Sequence, residues 1–198
     1  MVLRSLITLL VSTLSALSLS ACGPGMWIGA GATAGVAVAE ERSIGDQVED
    51  TTLFVEISER LFRYNEELFQ EVSVDVTEGR VLLAGVVDTP EDRVDAVRLT
   101  WEVKGVKEVA NEIQVTEGGF AYYADDVWIS TQLRNDLLWD KDIASINYNV
   151  ETVHGVIYLT GIAKSQAELN RVVAHARTIP KVRDVVSYVR VITPAQST

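Results

Sequence analysis

Two parts of this sequence repeat each other at a fixed spacing of 76 residues, which restricts the chain to two tandem copies of one small fold. The spacing relates the apolar positions of a helical pattern in the first copy, Leu53, Ile57 and Leu61, to Ile129, Leu133 and Leu137. It also relates a later set, Gly79, Val81, Leu83 and Gly85, to Gly155, Ile157, Leu159 and Gly161. We expect the spacing to need adjustment only in the segment before Gly155, where the second copy reads as shorter after its first helix and NVETVHG as two residues longer than DVTEG.

Hydrophobic periodicity predicts the elements of each copy. Apolar residues at i, i+4 and i+8 indicate an amphipathic helix at the start of both copies. Val72, Val74 and Val76 alternate with polar residues, which is typical of a half-buried strand, and the turn at Gly79 leads into the second strand of a hairpin. The stretches VKEVANEIQV and VRDVVSYVRV are predicted to close the copies as third strands.

A second helix is predicted between the hairpin and the closing strand of each copy. Thr89 and Ser165 are expected to cap the orphan N–H groups at its start, and Pro90 suits the first helical position. Glu168 is expected to complete a capping box with Ser165. Each copy therefore reads α-β-β-α-β, and the predicted fold class is α+β, with two helices packed on one face of a small sheet.

The N-terminal segment predicts export and lipidation. Residues 1–21 join Arg4 to an apolar run that ends in small residues, as a signal peptide does. The sequence Leu19-Ser20-Ala21-Cys22 resembles a bacterial lipobox, in which the cysteine receives a diacylglycerol group and, after cleavage before it, an acyl chain. Two or three chains hold a protein firmly, since each buried CH₂ contributes about 0.8 kcal/mol. Because Gly23 rather than Asp follows Cys22, we expect an anchor in the periplasmic face of the outer membrane.

These features predict a signal peptide at 1–21, an acylated cysteine with a Gly/Ala tether at 22–45, a first domain at 46–116, a linker at 117–125 and a second domain at 126–194. Without the signal peptide the chain has 16 basic and 28 acidic residues, a net charge of −12. This charge argues against nucleic acid as a partner, because phosphate binding needs a basic surface. No second apolar segment is long enough to span a membrane.

Charge separates the two copies. Residues 50–117 hold 16 acidic and 7 basic side chains, a net charge of −9, whereas residues 126–192 hold 7 acidic and 8 basic, a net charge of +1. Only the second copy can approach an anionic surface without repulsion, an effect that acts within about 10 Å at ordinary salt.

The pattern Gly-x-Val/Ile-x-Leu-x-Gly at 79–85 and 155–161, with the closing stretch GVKEV at 105–109, resembles the hallmark positions of the BON domain family. The order of lipobox, tether and two copies is similar to that of outer-membrane lipoproteins with two BON domains. The resemblance implies that the protein binds anionic phospholipid, supports outer-membrane integrity and, in some bacteria, gathers at division sites. It further implies that the first helix of the second copy is the segment that contacts lipid.

The candidate phospholipid-binding residues lie on that helix and just after it. Trp128 and Ile129 are expected to insert between headgroups and acyl chains, where an indole can keep its N–H wet. Arg134 and Lys141 are expected to meet phosphate oxygens, while Gln132 stands where relatives often carry Lys. Trp128 capping the edge of the core is the alternative. Aromatic residues of the linker, Phe120, Tyr122 and Tyr123, either extend the membrane face or form a wedge between the domains.

No pattern of catalysis, metal binding or cofactor binding is present in the sequence, so no enzyme activity, cofactor or small-molecule substrate is expected. His154 is placed in a hairpin turn and His175 on a helix, as a surface or half-buried residue. We therefore predict a non-catalytic periplasmic lipoprotein that binds anionic phospholipid membranes through its second domain, with an envelope protein as a possible further partner. The alternative is an adaptor for envelope assembly or peptidoglycan enzymes that recognises no specific lipid.

Overall fold

The computed structural model describes residues 44–116 and 122–192. These residues belong to one compact unit, Gly35–Thr198. The signal peptide, Cys22 and all but the last two residues of the predicted tether lie outside the described residues, as does Phe120.

The first domain consists of three helices and a three-stranded sheet. Its elements in chain order are α1 (Ile44–Tyr64), α2 (Glu66–Glu71), β1 (Val72–Thr77), β2 (Arg80–Val87), α3 (Pro90–Trp101) and β3 (Glu108–Val115). The strand order is β1-β2-β3, with β1 antiparallel and β3 parallel to β2. The short helix α2 is an addition to the predicted pattern.

The second domain repeats this order with small changes. Its elements are α4 (Tyr123–Trp139), a single 3₁₀ turn (Ser145–Asn147), β4 (Tyr148–Val153), β5 (Val156–Ala163), α5 (Gln166–Thr178), β6 (Asp184–Ser187) and β7 (Arg190–Val191). Strand β4 is antiparallel to β5, and β6 and β7 together form an interrupted third strand parallel to it. The helix begins at Tyr123, so the last three residues of the predicted linker are helical.

The spacing of 76 residues holds through the whole hairpin, so the predicted two-residue insertion before Gly155 is wrong. Val72 pairs with Gly85 in the first domain, and Tyr148 pairs with Gly161 in the second. The difference between the copies lies earlier: α4 ends one position sooner than α1, and the connection that follows is one residue longer. The two changes cancel, which preserves the strand register.

The predicted caps of the second helices are confirmed, but the capping box is wrong. Thr89 accepts a hydrogen bond from the backbone N–H of Asp92, and Ser165 accepts one from that of Glu168. The Glu168 carboxylate, however, accepts from the backbone N–H groups of Ala144 and Lys164, at 2.9 and 2.8 Å. This buried carboxylate therefore fastens α5 to the connection before β4 rather than to its own N-cap.

Each domain has its own apolar core between its long helices and one face of its sheet. In the first domain Ile57, Leu61 and Leu83 are fully buried there, and in the second Leu133, Leu137 and Leu159 are their counterparts. The prediction of two helices on one sheet face is confirmed.

The opposite faces of the two sheets pack against each other, a relationship that the sequence left open. Leu82 and Ala84 of β2 form a third apolar cluster with Val153 and Tyr158 of the second domain, and all four are buried. The layers are therefore helices, sheet, sheet, helices.

Polar contacts show that the two domains are related by a pseudo-two-fold axis. The Arg190 guanidinium donates two hydrogen bonds of 2.6 Å to the Glu78 carboxylate, and His154 Nδ1 lies 3.0 Å from Gln114 Oε1. At the 76-residue spacing Glu78 corresponds to His154, and Gln114 corresponds to Arg190. The two contacts are therefore the same contact repeated on either side of the axis, as in an isologous dimer interface.

Candidate functional site

The helix α4 is fixed to its domain by Asp126 in its first turn. The buried carboxylate accepts hydrogen bonds of 2.7 Å from the backbone N–H groups of His154 and Gly155 in the hairpin turn. Asp50 accepts the equivalent bonds, at 2.8 Å, from Glu78 and Gly79. Because this clamp sets the rotation of α4, it also decides which side chains of the helix face solvent.

Ile129, Leu133 and Leu137 occupy the inner face of α4. Ile129 exposes 0% of its surface, so it cannot reach a membrane in this conformation. The expectation that Ile129 inserts into the membrane is therefore corrected. Ile129 belongs to the i, i+4, i+8 pattern with Leu133 and Leu137, which is the side of the helix that packs on the sheet.

The outer face of α4 presents large apolar and aromatic side chains to solvent. Trp128 exposes 42% of its surface, Leu138 67% and Trp139 77%. Val127 and Tyr123 are also exposed. Leu138 and Trp139, which lie about three turns beyond Trp128 at the end of α4, were not among the predicted site residues. An exposed set of this size on one helix marks an interaction surface.

The polar residues predicted to contact phospholipid differ in their exposure and in the hydrogen bonds that they already form. Lys141 is exposed in the connection after α4 and forms no ion pair within the part of the chain that the structure describes. Arg134 is exposed but donates from Nη2 to the Val150 carbonyl, which turns the guanidinium toward β4. Gln132 is half-buried on the flank of the helix.

Acidic groups next to this face are largely neutralised. The Asp125 carboxylate lies 2.6 Å from Lys181 Nζ, and Asp142 lies 2.9 Å from Arg171. Asp140 lies 2.8 Å from His175 Nε2, and this hydrogen bond, followed by one from the Asp142 backbone, lowers the pKa of Asp140. The surface around α4 is therefore close to neutral, as the charge count of the second copy predicts.

The aromatic residues before and at the start of α4 divide between two roles. Tyr122 packs edge to face on the His154 ring, with a centroid distance of 4.8 Å. Since His154 also contacts Gln114 of the first domain, Tyr122 lies beside the domain interface. Tyr123 lies at the start of α4 and is 67% exposed.

The described ranges contain neither a cluster of metal ligands nor a membrane-spanning helix. Among residues 44–116 and 122–192, no group of three or more His, Cys, Asp or Glu side chains is arranged to hold a metal ion. No helix in these ranges has the length and hydropathy needed to cross a bilayer.

The repeated α+β fold, with one helix that exposes large apolar and aromatic side chains, defines a two-domain protein, and comparison with known proteins identifies the class. The BON domain family matches residues 56–117 and 125–193, and the chain belongs to this family. A protein of Anaplasma centrale known as the uncharacterized protein in gshII 5′region is 41% identical over 145 residues, which cover 72% of this chain and 95% of that protein.

Two relatives with descriptive names are also similar. The outer membrane lipoprotein DolP of Haemophilus influenzae is 31% identical over 144 residues, covering 71% of this chain and 74% of DolP. The osmotically-inducible protein Y of Escherichia coli is 27% identical over 145 residues, covering 72% of both chains.

Proposed function

We propose that this BON protein is a non-catalytic lipoprotein, held by acylated Cys22 in the periplasmic face of the outer membrane. Its second domain binds anionic phospholipid through the outer face of α4 and thereby supports outer-membrane integrity. The observation that carries the proposal is the exposure of Trp128, Leu138 and Trp139 on one face of a helix whose surroundings are nearly neutral. The similarity to DolP, an outer membrane lipoprotein by name, supports the location.

The apolar side chains supply the binding energy. A Leu or Trp side chain that leaves water completely contributes about 1.5–3 kcal/mol, and tryptophan prefers the zone between headgroups and acyl chains. Trp128 and Trp139 are three turns apart on α4, so a helix lying flat on the surface inserts both.

The polar side chains select the headgroup. Lys141 meets phosphate oxygens directly, because its ammonium group is exposed beyond the end of α4. Arg134 retains guanidinium N–H groups besides the one that binds Val150, and Gln132 offers an amide from the flank. Screening by salt weakens these contacts, whereas it has little effect on the apolar ones.

The anchor and the helix act together. Acyl chains on Cys22 keep the second domain close to the bilayer, which raises the effective concentration of the α4 face at the membrane. Modest affinity of α4 for phospholipid is then sufficient for continuous contact.

Co-sedimentation of a soluble fragment, residues 35–198, with vesicles tests this proposal. We expect binding to vesicles rich in phosphatidylglycerol or cardiolipin, weaker binding at high salt, and little binding to phosphatidylcholine. Trp128→Ala and Trp139→Ala should each reduce binding about tenfold, as the loss of an exposed anchor side chain does at other interfaces. Trp101→Ala is the matched control, because Trp101 is 51% exposed on α3 of the first domain.

The adaptor hypothesis predicts a different outcome. If the wild-type fragment binds no vesicle, or if Trp101→Ala weakens binding as much as Trp128→Ala, the α4 face is not a phospholipid site. Cys22 would then be the only membrane contact.

A further inference from the structure

The pseudo-two-fold axis generates two related clefts at the seam between the domains. The larger, of about 510 Å³, is lined by Tyr123, Asp126 and Val127 of α4 and by Glu151 of β4. The smaller, of about 270 Å³, is lined by the counterparts of these residues, Gln47, Asp50, Thr51 and Asp75. Symmetry alone would make the two clefts equal, so their differences indicate what the larger one is adapted to bind.

The differences run in both directions: Ser130 and Thr152 line the larger cleft where Phe54 and Val76 line the smaller, but at other positions the larger cleft is the more apolar. Tyr123 lines the larger cleft where Gln47 lines the smaller, and Val127 replaces Thr51. On the other wall of the larger cleft stands Phe69, whose counterpart is Ser145. Phe69 remains 40% exposed and packs edge to face on Phe62, which is 52% exposed, at a centroid distance of 5.5 Å.

The wall formed by α2 is also strongly acidic. Glu71 lines the larger cleft, and the carboxylates of Glu67, Asp88 and Asp92 lie close enough to act on it. Burial, followed by these three charges, raises the pKa of the Glu71 carboxyl. The one basic residue among the side chains that line this cleft, Arg134, is turned toward Val150 and lies beside Glu151.

An open strand edge runs along the same cleft. Strand β1 is an edge strand of its sheet, and its first residues, Val72, Ser73 and Val74, line the cleft. An extended peptide can add to such an edge through its main chain, with side-chain pockets supplying selectivity.

We propose that the larger cleft binds a partner protein through an extended segment that carries large apolar side chains next to Lys or Arg. The apolar side chains fill the space between Phe69 and Val127, while the cations pair with the carboxylates of Glu67 and Glu71. Lys or Arg also stacks favourably on the exposed Phe62 and Phe69 rings. An anionic lipid fits this cleft poorly, because the acidic wall repels its phosphate. Tyr123, Val127 and Arg134 lie on the side of α4 that lines this cleft, whereas Trp128 and Trp139 do not line it. The cleft therefore borders the surface around Trp128, and its proposal does not depend on the phospholipid proposal.

Fluorescence anisotropy with defined peptides tests the proposal on the fragment 35–198. The probe is a labelled ten-residue peptide that alternates Lys with Leu; matched probes alternate Glu with Leu and Lys with Ser. We expect measurable binding of the Lys/Leu peptide alone.

The most informative variants replace each cleft residue by the residue at the related position of the other copy. Gln47 shows that Gln is compatible with the first helix of a copy, and Phe69 is 40% exposed, so Ser is expected to be tolerated there. Phe69→Ser and Tyr123→Gln should weaken binding of the Lys/Leu peptide about tenfold each, as the loss of aromatic anchors does elsewhere. The control is Val94→Asn, which exchanges a 63% exposed residue outside the cleft for its counterpart Asn170. Circular-dichroism melting checks that every variant is folded.

Three results overturn the proposal. If Phe69→Ser and Tyr123→Gln bind the Lys/Leu peptide as tightly as the wild type does, the peptide binds outside this cleft. If the wild type does not bind the Lys/Leu peptide, the cleft does not recognise a basic, apolar segment. The third result concerns a fluorescent fatty acid. If it binds the wild type but not Phe69→Ser, and the Lys/Leu peptide does not displace it, the cleft is an acyl-chain site. The vesicle experiment with Trp128→Ala is unaffected by any of these results.

Discussion

The Tyr188 hydroxyl donates a hydrogen bond to the Glu112 carboxylate, and these two residues are counterparts of each other, 76 positions apart in the repeat. A residue can touch its own counterpart only where a two-fold axis passes between them. This contact therefore locates the axis between β3 and the segment that joins β6 to β7. Burial, followed by the hydrogen bond to Glu112, raises the pKa of Tyr188 to about 12.

The domain interface predicts that the two domains unfold together. Leu82 is 4% exposed and packs on the second domain, so Leu82→Ala should cost about 2–5 kcal/mol and remove hydrogen-exchange protection from both sheets. Urea denaturation and amide exchange measure the two effects. Val94→Ala, at an exposed position, is the control. Loss of protection confined to the first domain would show that the domains are energetically independent.

The Asp126 clamp predicts a graded loss of stability. Asp126→Asn keeps one acceptor oxygen and should cost about 1–3 kcal/mol, whereas Asp126→Ala leaves two buried N–H groups without their partner and should cost more. Chemical denaturation of both variants tests this order. Asp125→Asn, beside it but in an exposed ion pair with Lys181, should change stability by less than about 1 kcal/mol. Equal effects at 125 and 126 would contradict the clamp.

Gly161 cannot be replaced by a residue with a side chain. Its φ is +114°, and a Cβ atom there would lie 2.0 Å from the Asn147 carbonyl oxygen. Gly161→Ala should therefore destabilise the protein by about 3 kcal/mol or more, since both strain and overlap must be relieved. The exposed Ala167→Ser is the comparison, and thermal denaturation is the measurement. A melting temperature equal to that of the wild type would mean that the strand near Gly161 is not packed as described.

The burial of Glu151 predicts that the stability of the protein decreases as the pH rises. Burial raises the pKa of its carboxyl, an effect that the nearby Arg134 charge opposes. Because the folded state holds this proton more tightly than the unfolded state, the free energy of unfolding should fall as pH rises above the unfolded value of about 4.3. In Glu151→Gln this contribution is absent, so the variant should gain stability relative to the wild type between pH 4 and 7. Urea denaturation at several pH values measures the difference; a constant difference would refute the assignment.

Acylation of Cys22 is predicted to anchor the protein in the membrane. Cys22→Ser should give a precursor that is not lipidated and is recovered uncleaved or soluble. Metabolic labelling with radioactive palmitate, followed by fractionation, measures this. Label in the Cys22→Ser variant at the wild-type level would show that the anchor lies at another residue.

The local structure was predictable because local chemistry decides it. Gly79 and Gly155 take φ values of +76° and +75° in the hairpin turns, and Thr89 and Ser165 cap helices, each for reasons visible within a few residues. The partners of Glu168 were not predictable, because its carboxylate binds a backbone N–H group 24 positions away. A buried acid forms its hydrogen bonds where the tertiary fold brings donors to it.

The domain arrangement had a signal that was overlooked. The strands VLLAGVV and VIYLTGIA are apolar almost throughout, instead of alternating with polar residues. A strand covered on one face alternates, whereas a continuous apolar run indicates burial on both faces. Leu82 and Tyr158 are the residues that this rule assigns to a second contact, and they are buried in the sheet-to-sheet cluster.

An interface with two-fold symmetry can mispair while the protein is being synthesised. The first domain emerges before its partner, and its open sheet face is shaped to accept a copy of the same fold, including the first domain of a neighbouring chain. In such a mispaired complex Glu112 would meet Glu112 across the axis instead of Tyr188, and the two carboxylates would repel. Glu78 would meet Gln114 instead of Arg190 and lose both charge-assisted hydrogen bonds. The difference between the copies at the axis therefore favours pairing of a first domain with a second domain over pairing of two first domains.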